Sequence, residues 1–256
     1  MRALAFLFDL DGTLVDSMPH HDAAWIEWHA RRGVMMDSQG FFASTAGRSN
    51  PDILADMFPE LGPAEHQAMA QQKEEIYRAR AARSLGLIAG AKAFVGAARC
   101  AGMRLAICTA ATPENMALAF AVHGIDRWVD TVVSPADRAS GPSPGTDRPQ
   151  GLSGLSPADG ASGPGPGESL RGKPHPDIFL EAATRLGVLP EQCIVFEDAP
   201  LGVEAARRAG MRAVALTTTL PAQAFADFPN VIAIRADFES LTPLTLTDLT
   251  KEQHHA

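Results

Sequence analysis

Two aspartates stand two residues apart in Phe8-Asp9-Leu10-Asp11-Gly12-Thr13-Leu14, where an apolar run meets a glycine turn. In an extended chain, carboxylates at i and i+2 lie on one side, so the pair could hold a cation and divide nucleophilic and acid/base duties. The same Asp-Gly spacing serves equally as a helix cap or an Asx turn. A second acidic pair, Glu197-Asp198, closes another apolar run. Carboxylates gathered from both would repel one another, and a hard divalent cation with oxygen ligands, most simply Mg2+, relieves that repulsion. Lys173 opens Lys173-Pro174-His175-Pro176-Asp177, where two prolines stiffen its setting, and its ammonium could offset phosphate charge that a metal leaves over. Thr109 follows a further apolar run and could offer a hydroxyl, and Ala110 an N–H, to a phosphate oxygen. A solvated lysine and an ordinary threonine at a strand end are the plain alternatives.

The elements that must position these residues follow from hydrophobic patterning. Short apolar runs at 3–8, 104–108, 193–196, 212–216 and 231–234 suit buried strands. Helical patterns at 92–101, 113–123, 176–186 and 201–209 alternate with them, several closed by a glycine. That rhythm predicts an α/β fold with a parallel sheet covered on both faces, whose strand C-termini gather the acidic motifs at one edge. Residues 18–85 interrupt it with helical patterns near 21–32, 51–58 and 63–82 and no convincing strand, which predicts an inserted helical domain. Residues 140–172 are mostly Gly, Pro and Ser with no aromatic residue, and read as a flexible surface insertion.

Composition narrows the function classes. The chain has 256 residues, 46% hydrophobic and 20% charged, enough for a sizeable core. Its net charge of -8 offers no general attraction to nucleic acid or anionic membrane. No apolar stretch approaches the roughly 20 residues of a membrane span, and the first apolar run is cut by Asp9 and Asp11, so neither anchor nor signal peptide is expected. Three cysteines without a CxxC pair point to a reducing compartment, and so to the cytoplasm.

Taken in order, Asp9-Leu10-Asp11-Gly12-Thr13, Thr109, Lys173-Pro174 and Glu197-Asp198 resemble the four motifs of the haloacid dehalogenase superfamily across almost the whole chain. Asp16 to His21, Trp25, Gly47-Arg48-Ser49-Asn50, Lys73 to Tyr77 and Phe196 to Ala206 are similar to its beta-phosphoglucomutase-like branch. The resemblance implies a Rossmann-like core, residues 1–17 and 86–256, with a helical cap, 18–85. It makes Asp9 the nucleophile and Asp11 the acid/base, kept protonated at first by negative neighbours. Mg2+ would sit on Asp9, Asp198 and the backbone carbonyl of Asp11, with Glu197 in support, while Lys173, Thr109 and Ala110 hold the transferring group. From the cap, His21 would relay a proton near Asp11, and Arg48 and Lys73 would hold the distal phosphate or sugar beside Trp25. Lys73 reads alternatively as part of a solvated helix face, Trp25 as core, and His20 competes with His21 for the register.

The superfamily's dehalogenases lack an aspartate at the position of Asp11, which disfavours dehalogenation. The favoured function is a Mg2+-dependent phosphatase working through an aspartyl-phosphate on a small phosphorylated metabolite, a sugar phosphate in particular. Thr13 and Pro200 look more phosphatase-like than mutase-like, but beta-phosphoglucomutase remains the alternative, since both activities use the same aspartyl-phosphate. A non-catalytic binding protein on this fold ranks third.

Overall fold

The computed structural model describes residues 3–140 and 164–246. Six parallel strands form one sheet: β1 (Ala5–Phe8), β4 (Arg104–Cys108), β5 (Thr131–Val133), β6 (Cys193–Glu197), β7 (Arg212–Leu216) and β8 (Val231–Arg235), in the order β5-β4-β1-β6-β7-β8. Side chains alternate across it, as period-two geometry requires. Phe6, Phe8, Leu105, Ile107, Ile194 and Phe196 face one core, and Ala5, Leu7, Ala106, Cys108, Cys193 and Val195 the other. On the first face Phe8 stacks on Phe196 at 4.8 Å, and Phe6 packs against Phe94 of α5 (Ala91–Cys100) at 5.7 Å. The second is covered by α7 (Asp177–Leu186) and α8 (Pro200–Arg208), whose Phe179, Ala182, Val203 and Ala206 are buried. The mixed α/β architecture with helices on both faces of a parallel sheet is the expected one.

Between β1 and β4 the chain forms a small antiparallel pair, β2 (Val15–Asp16) with β3 (Gly86–Leu87). It ties together the points where the chain leaves for the helices α1 (Met18–Ala30), α2 (Ser38–Thr45), α3 (Asn50–Met57) and α4 (Pro63–Ser84) and returns from them. Local chemistry accounts for several starts. Ser49 caps α3 by accepting from the Asp52 N–H, Glu65 reaches back to the Gly62 N–H ahead of α4, and Thr112 accepts from Asn115 N–H at the start of α6 (Pro113–His123). Gly124 and Gly187 take the left-handed conformation that ends α6 and α7.

Three expectations need correction. Strands β2, β3 and β5 have no sequence counterpart, because runs of two or three residues carry no periodicity. Helix α2 also goes unanticipated, and α1 begins at Met18 because Pro19 suits a first turn. Most of the 140–172 insertion, residues 141–163, lies outside the described residues, as do His254 and His255. Its described ends are anchored: Arg138 and Ser169 form an antiparallel bridge, Ser140 N–H donates to Glu181 at 2.9 Å, Leu170 is buried, and Arg171 donates to Asp177 at 2.8 Å. Among the described residues no helix is long and apolar enough to cross a membrane.

Candidate active site

One cavity of about 740 Å³ gathers every residue singled out from the sequence: Asp9, Asp11, Thr109, Ala110, Lys173, Glu197 and Asp198 from the sheet edge, and His21, Trp25, Arg48 and Lys73 from the helices. Asp9 ends β1, where its N–H donates to Phe196 O at 3.0 Å, and Glu197 and Asp198 end the adjacent β6. Parallel pairing of β1 with β6, Phe8 opposite Phe196, brings the acidic motifs side by side.

Asp9, Glu197 and Asp198 are all buried, and each offers an oxygen within 4.8 Å of the others. Their charge is met by one ammonium: Lys173 donates to Asp9 and lies 2.5 Å from Glu197 Oε1. The peptide bond from Lys173 to Pro174 is cis. Asp198 accepts from Thr13 Oγ1 at 3.3 Å and from Thr219 Oγ1. Burial first, then neighbouring charge, raises all three carboxyls, Glu197 to about 8 and Asp198 to about 7. Burial would depress Lys173, but Asp9 and Glu197 outweigh it and keep the ammonium charged. A pocket of hard oxygen donors that resists holding its own negative charge fits a divalent cation. Two glycines make room for the carboxylates themselves. A Cβ on Gly12, itself at φ +76°, would overlap the Asp198 carboxylate, and one on Gly202 would overlap that of Glu197.

Beside this triad, the end of β4 delivers two hydrogen-bond donors that could take an anion. The Thr109 hydroxyl oxygen accepts from Ala111 N–H at 3.0 Å, which leaves its proton free to donate, and the Ala110 N–H has no partner among the described residues.

Asp11 turns away from the triad toward the helices, with His21 Nε2 at 3.7 Å from its Oδ1. The His20 ring faces Ser84 O instead, so the register falls on His21. Lys73 Nζ lies 2.6 Å from His21 Nδ1, and the His21 ring stacks on Tyr77 at 3.8 Å. An ammonium can only donate, so Nδ1 accepts and Nε2 carries the ring proton aimed at Asp11. Burial pushes Asp11 up, but the His21 N–H, with Ser17 and the charge of Lys73, holds it below its ordinary value. This corrects the expectation that negative neighbours keep Asp11 protonated.

Lys73 is 1% exposed, and its solvated-face reading is overturned. Trp25 combines both readings, lining the cavity while packing on Trp28 and Phe41. Arg48 lines the cavity with its guanidinium engaged, 2.7 Å from Asp56 Oδ2 and donating to Asp52 O at 3.1 Å. Sequence reasoning missed Thr219 and Asn115, and it gave no role to Asn50, Glu74 and Tyr77, which lie in the segments that carry the resemblance. A threonine run just past β7, at the edge that carries the acidic motifs, could have flagged Thr219. Asn115 sits in a helix without a distinguishing pattern.

A family profile described as haloacid dehalogenase-like hydrolase matches residues 4–210. Hexitol phosphatase A of Escherichia coli is 30% identical over 248 residues, covering 96% of this chain and 95% of that protein. The fructose-1-phosphate phosphatase of Escherichia coli is 31% identical over 218 residues, 83% of this chain and 96% of the relative. The crystal structure of a beta-phosphoglucomutase from Clostridium difficile shares the fold, with a TM-score of 0.72 and 20% identity over 98% of this chain and 99% of that one.

Proposed function

The chain belongs to the haloacid dehalogenase-like hydrolases, and from that premise we propose that it is a Mg2+-dependent phosphatase acting on a small sugar phosphate. The observation that carries this reading is the Asp9 carboxylate facing the cavity between the Lys173 ammonium, the other two acidic residues and the open Thr109 and Ala110 donors. The relatives named as a hexitol phosphatase and a fructose-1-phosphate phosphatase support the substrate class.

In this reading an Asp9 oxygen attacks phosphorus, the ester P–O bond breaks, and the leaving oxygen takes a proton from Asp11. Water then attacks the aspartyl-phosphate, giving a proton back to Asp11 as the bond from phosphorus to Asp9 breaks and inorganic phosphate leaves. Asp9, Asp198, the Asp11 carbonyl and, in support, Glu197 would hold Mg2+, which supplies charge neutralisation and polarises the phosphoryl group. Lys173 holds Asp9 and Glu197 in place, and Thr109 and Ala110 cradle the phosphoryl oxygens. His21, with its tautomer set by Lys73, supports the proton step at Asp11. An incoming phosphate dianion itself raises Asp11 toward the protonated form.

Residues 18–85 act as a cap over a core of 1–17 and 86–256, excluding water and selecting the substrate. A hydrolase is favoured over a mutase by the cations of the cap. Lys73 is committed to Glu74 and His21, Arg48 to Asp56, and Arg78 to Asn115, which leaves no prepared clamp among the described residues for the second phosphate of a bisphosphate. Unpaired Cys100, Cys108 and Cys193 support a cytoplasmic location.

The test is phosphate release from a panel of sugar phosphates with Mg2+. Beta-glucose 1-phosphate is assayed alongside for both free phosphate and glucose 6-phosphate, with and without glucose 1,6-bisphosphate. Free phosphate should dominate. No turnover of any ester sinks the phosphatase reading, and fast glucose 6-phosphate formation with little free phosphate replaces it with the mutase.

A further inference from the structure

Glu74 is a buried carboxylate at the junction of three helices. Its Oε1 accepts from Lys73 Nζ at 3.0 Å and from Asn50 of α3, and its Oε2 accepts from Asn115 Nδ2 of α6 at 2.6 Å. Asn115, buried as well, accepts on Oδ1 from Arg78 Nη1 at 3.1 Å. Arg78 can only donate and an ionised Glu74 can only accept, so the Asn115 amide has one orientation that satisfies both. Glu74 and Arg78 are one turn apart on α4, whereas Asn115 lies six residues beyond Thr109 on the helix that follows β4. This single side chain therefore binds α4 to the sheet edge that carries the phosphoryl subsite.

From Glu74 the contacts continue to the reacting centre: Glu74 to Lys73, Lys73 to His21 Nδ1, His21 Nε2 to Asp11. Lys73 has two acceptors, and the Glu74 carboxylate fixes where its remaining protons point. Without that anchor Lys73 keeps its approach to the Trp25 and Tyr77 rings but loses the carboxylate that directs its protons, and the His21 ring stays stacked on Tyr77 while Nε2 is no longer fixed as the nitrogen that carries the proton.

We propose that Glu74 is a positioning residue for proton transfer at Asp11, and that Asn115 completes its coordination only when α4 is docked on α6, so that docking is reported to the reacting centre. This rests on the role given to Asp11 above. Among the described residues neither side chain bonds to Asp9, Thr109 or Lys173. Their effect falls on protonation of the leaving oxygen, which an alkyl ester needs and an aryl ester with an acidic leaving group does not.

The experiment compares kcat/KM, which covers the steps up to departure of the leaving group, for two substrates. One is the sugar phosphate turned over fastest in the panel above and the other is p-nitrophenyl phosphate. The variants are Glu74→Gln, Asn115→Ala and Asp11→Asn. The sugar-to-aryl ratio should fall by about tenfold or more in Glu74→Gln and Asn115→Ala, and further in Asp11→Asn. A structural role would lower both substrates together. If Asp11→Asn discriminates and the other two do not, the positioning role is wrong and the phosphatase reading stands. If Asp11→Asn also loses both equally, the role of Asp11 itself is wrong and the positioning role falls with it. Should Glu74→Gln fail to fold, Asn115→Ala and Arg78→Met carry the same comparison.

Discussion

Replacing Asp198 with asparagine should stabilise the metal-free protein above neutral pH while removing its turnover. Burial, and then the charge of Asp9, raise the Asp198 carboxyl to about 7 from an ordinary 3.8. Below the ordinary value the group is protonated whether the chain is folded or not, and it contributes nothing to the pH dependence. As pH rises from about 4 to about 7, the unfolded chain releases this proton and the folded chain retains it, so wild-type stability falls, then levels off above the folded pKa. A shift of about three units at 1.36 kcal/mol each sets a ceiling of about 4 kcal/mol. Asparagine keeps the shape and drops the charge. It must also exchange the bonds from Thr13 and Thr219 for weaker ones, at a cost of about 1–2 kcal/mol. The net gain is about 2 kcal/mol near pH 8, or roughly 4–8 °C in Tm, and it reverses to a loss of about 1–2 kcal/mol near pH 4, where only the weaker bonds count. Thermal unfolding of both proteins in EDTA across that pH range reads it directly. Saturating Mg2+ should raise the wild-type Tm and leave the variant nearly unmoved. A variant less stable at pH 8, or a difference independent of pH, refutes the idea that Asp198 is held in a site short of positive charge.

Two further substitutions probe the same centre from its neighbours. Lys173→Met removes the ammonium shared by Asp9 and Glu197 and should cost about 3 kcal/mol near pH 8 in EDTA, and less near pH 5 where the carboxyls take up protons, as read by urea unfolding. An unchanged midpoint would show that the ammonium does not compensate them. Gly202→Ala on α8 drives a Cβ into the Glu197 carboxylate and should destabilise by about 1–3 kcal/mol despite alanine's helix propensity, whereas Gly96→Ala on α5, with open space around it, should gain up to about 1 kcal/mol. Equal melting shifts for the two would remove the packing explanation.

Much of the site is legible because its parts are strand ends. A run such as Ala5–Phe8 signals a buried parallel strand by composition alone, and the residue after it must lie at the sheet's C-terminal edge. Asp9, Thr109 and Glu197-Asp198 therefore share the C-terminal edge once the strands are known to be parallel, and the order β4-β1-β6 makes them neighbours. Caps at Ser49 and Thr112 and prolines at 19, 51, 63 and 113 are local as well, and they mark helix starts within a residue or two. Lys73 shows where such reasoning stops. Its flanking Gln72, Glu74 and Glu75 describe a wet helix face, yet α4 is turned so that Lys73 and Glu74 are buried against His21, 52 residues away, and Asn115, 41 residues away from Glu74.

By itself, then, the sequence determined the α/β class, the parallel sheet edge and the residues assembled on it, because these depend on short-range periodicity and on which residues follow a strand. Only the tertiary structure decided the two-residue strands at the chain crossing, the commitment of Arg48 to Asp56, the choice of His21 over His20 and the lowered rather than raised pKa of Asp11. Those outcomes turn on burial and on distances between groups remote in the chain, and electrostatic free energy depends on both in ways that residue order does not encode locally.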